Sequence, residues 1–92
     1  MKRATKHERA LIERWIEQNP DKPWEAEARI VTTGTSVWAL VGYMDAADND
    51  LGRVASDYGL SEEAVEAAMA YYRLHRQAID ARLAENAAYA NF

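Results

Sequence analysis

The stretch ASDYGLSEEAV, Ala55–Val65, constrains this chain more than any other. A small residue, a glycine four positions on and a valine six beyond that have the spacing of a helix-turn-helix. Ala55 lets two helices approach each other, and Gly59 permits the left-handed backbone of the turn. Val65, with Val54 and Leu60, fills the angle between them. Apolar stripes at i, i+3, i+4, i+7 surround the motif. Val37, Leu40, Val41 and Met44 form the first, opened by Thr35 or Ser36. Leu51, Val54, Ala55 and Tyr58 form the second, capped by Asn49 or Asp50 and closed by Gly59. Val65, Ala68, Met69 and Tyr72 form the third, capped by Ser61. Three short amphipathic helices close one compact core.

The flanks add less regular pieces. Thr5 and Glu8 make a capping box ahead of Leu11, Ile12, Trp15 and Ile16, which predicts a helix over roughly Lys6 to Gln18. NPDKP, Asn19–Pro23, ends it, because proline removes donors and disfavours helical backbone before it. From Trp24 to Val31 apolar and charged residues alternate, and RIVTT is β-branched, so a short strand or extended arm is expected before a turn at Gly34. A lone strand needs a partner, for which a second copy of the chain is one source. No Gly or Pro follows Ser61, so the last helix is expected to run on to Ala88. At about 27 residues and roughly 40 Å it would outreach a small domain. Its tail must fold back, dimerise, bind another protein or fray. The expected fold is mainly α: a small winged-helix-like, helix-turn-helix domain with a short β arm or hairpin and a long C-terminal helix. Residues 1–23 hold the N-terminal helix and Pro-rich turn, 24–76 the helix-turn-helix domain and 77–92 the helical tail.

Charge argues against the use of this shape on DNA. A helix that reads base edges presents its first turns to the groove, and affinity comes from Lys and Arg on phosphates. With Val65, Ala68, Met69 and Tyr72 inward, the expected outward set is Glu62, Glu63, Glu66, Ala67, Ala70 and Arg73. Glu62 and Glu63 suit the positive end of the helix dipole instead. From Asp45 to Glu66 seven acids face only Arg53, whereas Lys2, Arg3, Lys6, Arg9 and Arg14 dominate the first fourteen residues. DNA, if bound, is expected at Lys2, Arg3, Lys6 and Arg9 of a dimer. The net charge of −4 also argues against a general nucleic-acid binder. The 92 residues make one small domain without cysteine, hence without disulfides or thiolate metal sites. No apolar run reaches membrane-span length, and MKRATKHERA lacks the apolar core of a signal peptide, so a cytoplasmic setting is expected.

ARIVTTGTSVWALVGYM followed by DLGRVASDYGLSEEAVEAAMAYYRLHR resembles the domain-of-unknown-function family numbered 433, over about Ala28 to Arg76. Gly34 and Thr35 match the family's Gly-Thr turn, and Val65, Ala68 and Tyr72 its final helix. Ser36 stands where the family usually has Arg. The resemblance implies a small winged-helix-like dimer that acts as an antitoxin, often paired with a PIN-like nuclease toxin.

The remaining constellations are mostly structural. Asp45–Asp50, DAADND, reads as capping and a solvated link, since Gly59 stands where a calcium loop needs its bidentate Glu. His7 and His75 have no metal-ligand pattern around them and are expected at the surface. No phosphate loop, nucleophile arrangement or cofactor motif is present, so an enzyme is not expected. Trp15, Trp24 and Trp38 read as core or dimer-interface anchors. Tyr71 adjoins the inward Tyr72 and so points aside, toward a partner. Arg73, Arg76 and Arg82 recur beside Ile79, Leu83 and Tyr89. One account is a solvated helix with ion pairs such as Arg76 to Asp80. The other follows from the resemblance: arginines among apolar anchors can block the clustered carboxylates of a PIN-type nuclease. On that account Tyr71, Arg76, Ile79, Arg82 and Leu83 contact the toxin, with operator binding as an accessory role. The alternatives are a DNA-binding regulator without a toxin partner and a structural oligomerisation module.

Overall fold

The computed structural model describes residues 4–90. Helix α1 is Lys6–Trp15, strand β1 Ile16–Glu17, a 3-10 turn Glu25–Glu27 and strand β2 Arg29–Ile30. Four helices follow: α2 Val37–Ala46, α3 Leu51–Tyr58, α4 Glu62–Leu74 and α5 Arg76–Ala90. The molecule is mainly helical with one two-stranded antiparallel hairpin.

The central helices form for the local reasons read from their ends. The Asp50 side chain accepts from the Arg53 amide, and Ser61 Oγ accepts from Ala64. Gly59 closes α3 in the left-handed region at φ 65°, and the Leu60 amide turns back to the Ala55 carbonyl at 2.8 Å. Ser36 precedes α2 without a side-chain cap bond. All four apolar residues of the α2 stripe are buried, as are Val54, Ala55, Val65 and Ala68. Asp48 and Asn49 adopt positive φ in the α2–α3 link, as short polar residues tolerate.

Three peripheral expectations are corrected. Helix α1 ends at Trp15 rather than Gln18, because Ile16 becomes extended and pairs with Ile30, and Glu17 with Arg29. The arm therefore finds its partner within the chain, not in a second copy. Of Trp24–Val31 only Arg29 and Ile30 form a strand, since Glu25–Glu27 coil into the 3-10 turn. The chain after Ser61 is helical as far as Ala90, but not as one continuous helix. It breaks at His75 (φ −124°, ψ 38°), and α5 then lies against α2 and the 3-10 turn. Gly42 eases the fit of α5, since a Cβ there would stand 3.1 Å from Leu83 Cδ2 and push the leucine tip aside.

The capping box at Thr5 is present, and it does more than start a helix. Glu8 accepts from the Thr5 amide at 2.9 Å and from Arg73 of α4 at 2.8 Å. The Thr5 amide, then the guanidinium, hold this carboxyl at about 2, against an ordinary value of 4.5. Since the folded value is the lower, the anchoring is complete above pH 4.5 and is lost as pH falls toward 2. Urea midpoints taken from about pH 6 down to about pH 2.5 should drop more for the native chain than for Glu8→Gln. Parallel profiles would show that Glu8 anchors nothing.

Candidate partner-binding face

The second helix of the helix-turn-helix is not a free surface. Glu8, near the start of α1, meets Arg73 near the end of α4, while Trp15 Nε1 donates to Glu63 at 2.9 Å. Arg14 adds an ion pair to Glu63 at 3.3 Å. The two helices are therefore antiparallel, with Leu11 midway along α1 over the middle of α4. Ala67 and Ala70, expected to face outward, are fully buried there. Alanine's small side chain is what lets α1 seat so close. Glu62 and Glu66 stay exposed and Glu63 keeps its exposed edge, so the open remainder of α4's first turns is acidic. Lys6 and Arg9 are exposed on α1, while Lys2 and Arg3 lie outside the described residues.

The structure disperses the tail residues expected to meet a toxin. Ile79 is fully buried in the main core, and Leu83 packs against that core beside Gly42, so neither is a surface anchor. Both are drawn inward because α5 folds back. Arg82 donates to Glu27 at 2.8 Å, and its guanidinium lies 4.3 Å over the Trp38 ring. Tyr71 is half-buried, its hydroxyl donating to the Glu25 carbonyl at 2.8 Å and its ring 4.3 Å from His75. Burial, then the nearby Glu25 charge, raise its phenol above the usual tyrosine range. Arg76 alone of the five is exposed, its guanidinium 4.9 Å over Tyr72. It does not pair with Asp80, because Asp80 accepts from the Tyr72 hydroxyl at 2.7 Å. Tyr89's side chain lies outside the described residues.

Another residue holds the exposed position. Trp24 is 62% exposed and is not in the core, whereas Trp15 and Trp38 pack against it. It stands between two clefts. The smaller, about 230 Å³, is lined by Ile12, Ile16, Pro23, Trp24, Ala28 and Tyr71, with polar neighbours at its edge. The larger, about 550 Å³, lies between the 3-10 turn and α5. A third hollow beside Glu25 and Ala78 carries Leu74, another exposed large apolar residue, together with Arg76. The loop bearing Trp24 is held from both sides. Gln18 Nε2 donates to the Pro23 carbonyl at 2.8 Å, and His75 Nδ1 bonds the Glu25 carboxylate. Among the described residues no group of three or more His, Asp or Glu is placed to hold a metal. No described helix is long and apolar enough to cross a membrane.

The family model described as a protein of unknown function (DUF433) matches residues 16–72. The chain belongs to this family. No curated protein and no solved structure matches it. The DUF433 match runs from β1 through Tyr72, so α1 and α5 lie outside it. The roof over α4 and one wall of the larger cleft thus come from outside the DUF433 match, while Trp24 lies within it. A signal for Trp24 was available in KPWE, an aromatic directly after a proline and between charged residues. Such a position has little regular backbone by which to bury a ring.

Proposed function

We propose that this chain is a cytoplasmic antitoxin, which neutralises a PIN-like nuclease by protein contact and does not read DNA with α4. One observation carries the reading. The helix shaped to enter a groove is roofed by α1 and offers carboxylates, while Trp24 stands open between two clefts. Phosphate binding needs cations where Glu62 and Glu66 lie. Exposed aromatics, by contrast, anchor protein interfaces. Arg76, exposed near Leu74, has a guanidinium able to grip a carboxylate bidentately, the role expected of it and of Arg82, which is bonded to Glu27 instead. Lys6 and Arg9, with Lys2 and Arg3, would serve operator binding in a dimer as an accessory role.

Sequencing the adjoining reading frame should reveal a PIN-like nuclease, and titration of the full chain into that enzyme tests the reading. RNA cleavage should stop near one equivalent. Undiminished cleavage at tenfold excess would overturn the reading.

A further inference from the structure

We infer that the smaller cleft beside Trp24 binds a quaternary ammonium group, as carried by a choline-type metabolite or by a trimethylated lysine. The inference goes beyond nuclease inhibition and does not depend on it.

The lining selects a cation. Among the described residues no Lys, Arg or His lines the cleft, whereas the carboxylate residues Glu17 and Glu25 both do. Two aromatic residues, Trp24 and Tyr71, line it as well. The face of such a ring attracts a cation held within about 6 Å of its centre. Ile12, Ile16 and Ala28 add apolar surface of the kind that methyl groups pack against. The volume, about 230 Å³, lies below the about 300–1,000 Å³ of sites for drug-sized ligands, which suits a compact head group.

The engagement of the carboxylates decides which cation. Glu17 accepts from Arg29 Nε at 2.6 Å, and Glu25 is bonded by His75 Nδ1. In each pair the acid is on the lining and its basic partner is not. An entering group therefore meets negative charge but few free acceptors. A primary ammonium brings three donors that lose water on entry and need new partners. A quaternary ammonium has no N–H to satisfy, so ring faces and methyl contacts suffice. The site is also built in advance. Gln18 Nε2 donates to the Pro23 carbonyl and the Tyr71 hydroxyl to the Glu25 carbonyl, both at 2.8 Å, which pins the residues on either side of Trp24. Little loop ordering is then left for the ligand to offset.

Choline is titrated into the full chain at constant ionic strength, with the Gln18 and Ala28 amides followed by NMR. Both amides should shift saturably in the millimolar range. The neutral carbon analogue of choline, with a tert-butyl group in place of trimethylammonium, should bind at least tenfold more weakly. Ethanolamine, which keeps the charge on a primary amine, should also bind at least tenfold more weakly. Trp24→Ala should weaken choline binding at least tenfold and Trp24→Phe should restore most of it, both changes at an exposed position. A peptide carrying trimethyllysine, titrated in parallel, separates the sources. Binding at least tenfold tighter than choline assigns the cleft to a protein side chain, and binding no tighter assigns it to a metabolite. Absence of a saturable shift, equal binding of the neutral analogue or of ethanolamine, or native-like binding by Trp24→Ala would overturn the assignment. No nuclease enters these titrations, so their failure leaves nuclease inhibition standing, and loss of inhibition leaves the cleft assignment standing.

Discussion

Replacing Ile79 with alanine is expected to lower the stability of this protein by about 2–5 kcal/mol. The side chain has no exposed surface and sits in the main core with Ile30, Leu40 and Val65. Truncation leaves a cavity whose cost depends on how far the neighbours can collapse. They have little freedom, because α5 is held by the Arg82–Glu27 bond and by Leu83 against Gly42. Urea unfolding measures the loss directly, and a change within about 0.5 kcal/mol would mean that α5 is not part of the cooperative unit. The same reasoning bears on truncation. Removing everything after Gln77 deletes Ile79 from the core, so loss of toxin protection in such a chain would report unfolding. Exposed substitutions such as Trp24→Ala separate contact from stability.

Ala67→Glu is expected to cost on the order of 3–5 kcal/mol, as an uncompensated carboxylate forced into a buried site does. Ala67 has no exposed surface, and it lies on α4 between the two polar anchors that bind α1. Its expected signature is local as well as global: amides of α1 should lose hydrogen-exchange protection before those of α2 and α3. Loosening the roof should still not create a DNA-binding protein, because Glu62 and Glu66 remain on the uncovered helix. Gel shifts on duplex DNA at low salt check this. Tight binding by the loosened variant would show that steric cover, and not charge, keeps α4 from the groove.

The parts legible in the sequence were those set by neighbours within a few positions. Thr5 with Glu8, Asp50, Ser61 and Gly59 each met the backbone partners their types imply. The α2, α3 and α4 stripes turned inward because helical spacing alone decides which face is shared. What escaped required knowing where a distant segment lies. Alanine is indifferent to burial, so Ala67 and Ala70 could not announce a second covered flank on α4. The break at His75 has no Gly or Pro to mark it; it coincides with an imidazole bonded to Glu25 and stacked on Tyr71, fifty residues apart in one case and four in the other. A strand pair two residues long is set by a loop rather than by a repeating pattern. Within the candidate face, Arg76 is exposed, as its charge implies. The places of Ile79 and Leu83 are not legible, because an apolar residue on a tail read as free has no interior to enter until the tail bends.

The clasp that joins Tyr71 and His75 to Glu25 has a kinetic consequence. It fastens the segment behind Trp24 to the joint between two helices, so the exposed indole is carried on backbone that is already ordered. For the proposed partner this would mean that little conformational entropy is surrendered at the encounter, so that association would be set by diffusion and orientation rather than by loop closure. Cutting both of its bonds with Tyr71→Phe and His75→Ala together should lower the hydrogen-exchange protection of the amides around Trp24, whereas Tyr71→Phe alone leaves the His75–Glu25 bond in place.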